Sequence, residues 1–351
     1  MNLYLIFIAL LMLIGIKVYF KGFNPNFMSK KHTANVKGIF VLIIFYSHFV
    51  TYSTILMSKD FAMLNVRNWL YQLMVAPFLL YSGYGIYESI KKKSQEYVDS
   101  MPKNRILKVW LHMAFCVGLF ILMDHYLGVK IDPKKAALAF TGWVDFENSN
   151  WYIFVILCLY AVSYMAFNIF KKDHKKAIGL ITIISMIMVV FLELHKEEWW
   201  YNTILCYPLG LYVSYYKEGI ENALMKSNKN YFFALVITIA TLLVFKEYEK
   251  AGTVYYLIMA MAFSFTVVLL SMKINLNDKI LEWFGNKLFW MYMLQRIPMI
   301  VLKNYSIATH PYRYAAACFG ITIVMTIIAD LIFKLIDSLL FRSKKQLPSE
   351  A

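Results

Sequence analysis

The chain has 351 residues, 60% of them hydrophobic and only 16% charged, against roughly a quarter charged in an average soluble domain. That balance excludes an ordinary soluble fold, and no polar stretch is long enough to make a separate domain of ~50 residues. The formal charge of +15 would suggest nucleic acid in a soluble protein, but here the basic residues sit in short clusters between apolar runs, where they report topology instead.

At about 20 apolar residues per span, the chain reads as an all-α, polytopic transmembrane bundle of ten to eleven helices. They are predicted near 2–20, 36–57, 69–90, 107–127, 151–170, 177–194, 200–216, 231–246, 253–272, 281–302 and 313–340. The first run lacks a basic leading region and a small-residue cleavage site, and Lys17 and Lys21 lie at its far end. It therefore reads as a span and not as a signal peptide. Cys116, Cys158, Cys206 and Cys318 show no CxxC pair, so neither a zinc site nor a disulfide framework is expected.

Alternate loops test this layout, because cytoplasmic loops carry the excess of Lys and Arg. The loops around 21–37, 91–108, 171–176, 217–229 and 273–287, with the tail from Lys334, hold 24 of the 36 basic residues, and the opposite set holds 10. The clusters at 91–93 and 171–176 mark the cytoplasmic side, which places the N-terminus outside and the C-terminus inside. No internal repeat and no matched pair of broken helices appear, which counts against a secondary transporter.

An ionisable side chain at the centre of a span costs on the order of 2.5–3.5 kcal/mol on insertion scales, so each one calls for a role or a partner. In the second span Lys37 and His48 are eleven residues apart, which leaves them about 20° apart around the helix and roughly 16 Å apart along it. They share one face, with Lys37 at the inner boundary and His48 around or beyond the midplane. An extended anionic ligand entering at Lys37 would have its far end near His48. Taken alone, Lys37 also fits a snorkelling boundary residue, and His48 a hydrogen-bonded packing residue.

Further along, Glu88 fits a pair with a neighbouring Lys, and Asp124 and His125 lie near an outer boundary. His112 and Arg296 are second-rank candidates for chemistry; Arg296, beside Gln295, fits either a contact with a sugar or a pair with a buried acid. Trp151, Trp199 and Trp200 lie at outer boundaries and fit the aromatic belt, although aromatics also stack on sugars.

Six segments in order then resemble the membrane acyltransferase 3 family, over about residues 30–305. The first is Lys37-Gly38 with His48 in register, where the family usually has Arg, Gly and His; Ala34 stands where many members carry an acid. Pro77 to Gly85, containing Ser82-Gly83, resembles the family's F-F-x-x-S-G-F/Y, and Arg105 with Lys108 resembles its R-x-x-R. Asn150-Trp151-Tyr152-Ile153, Tyr207 to Gly210, and Phe284-Gly285 to Tyr292 and Gln295 resemble the later signatures. At the last of these Gln295 replaces a family His.

The resemblance implies an O-acyltransferase that moves an acyl group, usually acetyl from acetyl-CoA, onto a hydroxyl of a cell-surface polysaccharide or lipid-linked glycan. It implies Lys37 and His48 as the catalytic pair, with Lys37, Arg105 and Lys108 near the CoA phosphates. His48 would serve as general base or as transient acyl carrier. Ser82, Trp151, Gln295 and Arg296 are candidates for substrate contact, although Ser82-Gly83 reads first as a close helix-packing pair. No metal and no nucleic acid are expected, nor the soluble extracellular domain fused to some members. The expected location is the cell membrane, among membrane lipid, with a homo-oligomer allowed. The rival from another class is a transporter or flippase of a lipid-linked saccharide with His48 as its proton-coupling site.

Overall fold

A computed structural model of the chain describes residues 2–53 and 60–341. In order they form α1 (Asn2–Leu13), β1 (Lys17–Val18), α2 (Lys30–Val50), α3 (Phe61–Leu70), α4 (Ala76–Met101) and α5 (Lys108–Tyr126). There follow α6 (Pro133–Ala139), α7 (Asn150–Ile169), α8 (His174–Glu193), α9 (Cys206–Tyr215), α10 (Lys217–Leu224) and α11 (Asn228–Glu247). The last elements are α12 (Thr253–Lys273), β2 (Ile274–Asn275), α13 (Lys279–Asn286), α14 (Leu288–Leu294), α15 (Arg296–Leu302) and α16 (Pro311–Leu340). Among the described residues the fold is thus all-α apart from one two-residue antiparallel pairing of β1 with β2.

Among the described residues, seven helical runs are long and apolar enough to cross a membrane, one of them a 66-residue run, Phe61–Tyr126, that joins α3, α4 and α5. The protein is a multi-pass membrane protein. Eight of the eleven expected spans fall on these runs, and the other three are shorter or broken for visible reasons. The expected helix over 2–20 stops at Leu13, because Gly15 turns the chain at φ +73° and Lys17 and Val18 pair with Asn275 and Ile274. Over 200–216 the helix begins only at Cys206, which keeps Pro208 within its first turn, where a missing N–H costs nothing. The segment 281–302 is divided into α13, α14 and α15; Pro298 has no N–H to return to the carbonyl of Leu294.

Elsewhere the differences are at boundaries. α2 begins six residues before the expected 36, at an N-cap in which the Ser29 side chain accepts from the His32 N–H, and ends at Val50, short of the expected 57, where the Thr51 N–H and hydroxyl both return to the His48 carbonyl; residue 57 itself lies outside the described residues, as do Arg342, Lys344 and Lys345 of the basic tail. α4 starts at Ala76 rather than 69, with Pro77 in its first turn, and runs through the lysine cluster to Met101 with a kink at Ser94. A wide helical turn over Pro102–Leu107 then leads into α5.

Two close crossings set the frame for the site. α2 packs against α13, and α4 against α9. At the first, a Cβ on Gly38 would overlap the Leu281 carbonyl, and one on Gly285 the Ala34 carbonyl. At the second, Gly83 lies against the Tyr207 carbonyl and Gly210 against that of Leu80. In lipid, where apolar burial drives little helix association, such backbone approach is what holds helices together. A polar clasp fixes the first crossing: Asp278 caps α13 through the Ile280 and Leu281 N–H groups, and its own N–H donates to Asn35 Oδ1 at 2.9 Å.

Candidate functional site: two cavities along one helix

α2 is enclosed on all sides, as a helix at the centre of a bundle should be. From His32 to Val50 every residue is buried except Lys37 and His48. Each opens onto its own cavity.

The Lys37 cavity has a volume of about 290 Å³ and is walled by α2, α4, the 102–107 turn, α5, α7 and α14. Among the described residues Lys37 and Arg105 are its only charged lining residues. Lys37 forms no hydrogen bond or ion pair among the described residues. Arg105 Nε donates to Tyr97 Oη at 2.8 Å, and Ser82 Oγ lies 2.8 Å from Tyr160 Oη. Two cations without a carboxylate give the cavity a positive lining, which suits an anion. Gly83 explains the placement of Ser82: by resting on α9 it turns its neighbour toward the cavity.

The His48 cavity is larger, about 460 Å³, and includes Ser47, Arg67, Tyr71, Asp145, Ser149, Trp151, Trp199, Tyr292 and Arg296 among its lining residues. Asp145 is committed to the start of α7, where its Oδ1 accepts from the Asn150 N–H at 3.0 Å. Burial pushes the Asp145 carboxyl up from the usual carboxylate range, opposed by the charge of Arg296 and by the Asn150 and Ser149 amides. Arg296 Nη1 donates to the Glu147 carbonyl at 3.2 Å. Arg296 Nε and His48 Nδ1 are buried without a hydrogen-bond partner among the described residues.

Aromatic rings divide the two cavities. Phe78 and Tyr152 line the first, Tyr292 the second. Ring centroids run Phe78 to Tyr152 at 6.5 Å, Tyr152 to Tyr292 at 5.7 Å, and Tyr292 to His48 at 6.1 Å. The partition is thus made of side chains, which rotate more easily than helices shift.

The structure brings Lys37, Ser82 and Arg105 together at one end and His48, Trp151 and Arg296 at the other. Lys108 lines neither cavity; it pairs with Asp337 at 2.8 Å, beside His112, which contacts the same carboxylate at 3.1 Å. Gln295 is fully buried, donates to the Tyr292 carbonyl at 3.0 Å and lines neither cavity. Glu88 pairs with Lys91 and accepts from Ser214 at 2.8 Å. Trp199 does not serve only as a belt residue, since it lines the His48 cavity, whereas Trp200 is buried in the core.

Arg67 and Asp145 were not legible in advance. Both lie in stretches that read as polar connections, and only the folding of α3 and of the loop before α7 over the end of α2 brings them to His48. A cation next to an apolar run, as Arg67 is, was the one available signal.

Residues 34–331 match the family model described as an acyltransferase domain. That segment contains every lining residue of both cavities. No curated protein and no solved structure matches the chain.

Proposed function

Since this chain belongs to the membrane acyltransferase 3 family, we propose that it transfers an acetyl group from acetyl-CoA to a hydroxyl of a cell-surface or lipid-linked glycan, with the donor phosphates at the Lys37 cavity and the acceptor in the His48 cavity. One observation carries the reading: the only two unburied residues between His32 and Val50 of the central helix face two cavities divided by a wall of side chains. CoA separates its anionic phosphates from its thioester by a long flexible arm, which suits a rise of roughly 16 Å between cation and imidazole. The bias of basic residues toward the Lys37 end supports a cytoplasmic donor.

In this reading the acceptor hydroxyl attacks the thioester carbonyl while His48 takes its proton. The new C–O bond forms, the C–S bond breaks, and the imidazolium returns the proton to the departing thiolate. The free His48 Nδ1 fits an exchange that no protein group competes for. Asp145 is a poorer base here, because backbone amides already occupy its oxygen.

The test is label transfer from acetyl-CoA to surface glycan, in cells or proteoliposomes. Lys37→Ala is expected to raise KM for acetyl-CoA about tenfold, the scale of one charge-assisted contact, with less effect on kcat. Lys37→Arg should restore most of the affinity, since a guanidinium grips phosphate at least as well. Lys108→Ala should leave KM within about twofold, because that side chain answers Asp337 and is partly solvated. Equal effects of Lys37→Ala and Lys108→Ala would remove the donor from this cavity.

A further inference from the structure

From the charges in the His48 cavity we propose that the acceptor is itself an anion: a saccharide bearing a carboxylate or phosphate, whose oxyanion is held by Arg67 and Arg296 while its ring lies among Trp151, Trp199 and Tyr71. The inference rests on the reading of this cavity as the acceptor site.

Arg67 and Arg296 approach the cavity from α3 and α15, two elements far apart in sequence. Neither forms an ion pair among the described residues. The single acid in the lining, Asp145, is tied to the first turn of α7 by the Asn150 amide. Glu198, outside the lining, accepts from the hydroxyl of Tyr71 at 3.0 Å, and Glu147 meets Arg296 through its backbone carbonyl. Among the described residues the lining therefore has an excess of one positive charge.

Donor capacity points the same way. Arg296 gives one Nη to a carbonyl and contacts the Tyr52 hydroxyl, and still leaves a buried Nε with no partner among the described residues. No side-chain hydrogen bond engages Arg67 among the described residues. A guanidinium has five N–H donors in a planar fork that matches carboxylate or phosphate. Leaving such donors unsatisfied in a half-closed cavity is costly, and an oxyanion satisfies several at once. A neutral sugar would fill the aromatic surfaces but leave the excess positive charge of the lining without a counter-ion.

The experiment uses the full chain in lipid nanodiscs and three probes: methyl glucuronide, glucose 1-phosphate and methyl glucoside. Binding is read from tryptophan fluorescence, and acceptor activity from labelled acetyl-CoA. On the unaltered protein at least one anionic probe should bind about tenfold or more tighter than the glucoside, and which one does so separates carboxylate from phosphate. Arg67→Gln should abolish that preference without lowering acetyl-CoA affinity, and Arg67→Lys should keep part of it. Equal binding of all three probes, absence of saturable binding by both anions, or an intact preference in Arg67→Gln would overturn the inference. An anionic probe that binds through Arg67 yet never receives label would leave the oxyanion site standing and remove the acyl-transfer reading instead.

Discussion

His48→Ala is expected to lower the turnover number for acetyl transfer by about 10²–10⁴-fold, the range typical for loss of a positioned general base. The donor KM should change little, because the acetyl-CoA phosphates are assigned to Lys37 and Arg105, in a separate cavity. This split between kcat and KM distinguishes chemistry from binding. It is the converse of the split expected for Lys37→Ala. His48→Gln keeps a polar side chain but not a titratable base, and should be nearly as inactive. Steady-state label transfer by protein of unchanged thermal stability is the measurement. Normal transfer by both His48→Ala and Lys37→Ala would refute the site as a whole.

The second large effect falls on stability. Gly285→Ala adds one methyl group, and that methyl would overlap the Ala34 carbonyl at the α2–α13 crossing. A side chain could rotate away; a helix backbone cannot. The two helices must separate, and the polar clasp from Asp278 to Asn35 must stretch with them. A loss of more than about 3 kcal/mol is expected, at the upper end of overpacking effects, read as a collapse in detergent-stable yield and unfolding midpoint. Gly38→Ala meets the Leu281 carbonyl and should behave alike. Gly179→Ala is the control: nothing lies within 4 Å of its added Cβ, and helix propensity favours the change. Wild-type stability in Gly285→Ala would mean that the crossing is looser than described.

These glycines clarify what the ordered motifs contain. Gly38, Gly83, Gly210 and Gly285 each stand in a segment of the family resemblance, and each supports a backbone-to-backbone approach. Lys37 and Ser82, their immediate neighbours, line the cavity beside those approaches. A reading based on motifs alone credits the polar member of each pair with chemistry. The structure assigns to the small member the task of placing it.

Lys37 and His48 were legible because a single helix carries both, and 3.6 residues per turn fixes their relative azimuth without reference to anything else. Arg105 was legible through its cluster, and Lys108 was misleading for the same reason. Three residues later along a helical path its side chain points to α16 and meets Asp337. Gln295 and Arg296 exchanged expectations in a similar way. Adjacent in sequence, they fall on either side of the α14–α15 break, one sealed in the core and the other lining the cavity.

By itself the sequence determined the solvent, the helical class, most of the spans and the shared face of Lys37 and His48, since all of these follow from hydropathy and from periodicity along one segment. The tertiary structure alone decided that this face meets two cavities instead of one, that rings from α4, α7 and α14 divide them, and that Arg67 and Asp145 join His48. The physical reason is that a helix dictates where its own side chains point, whereas which neighbour stands opposite depends on crossings set by glycines and prolines hundreds of residues apart in the chain.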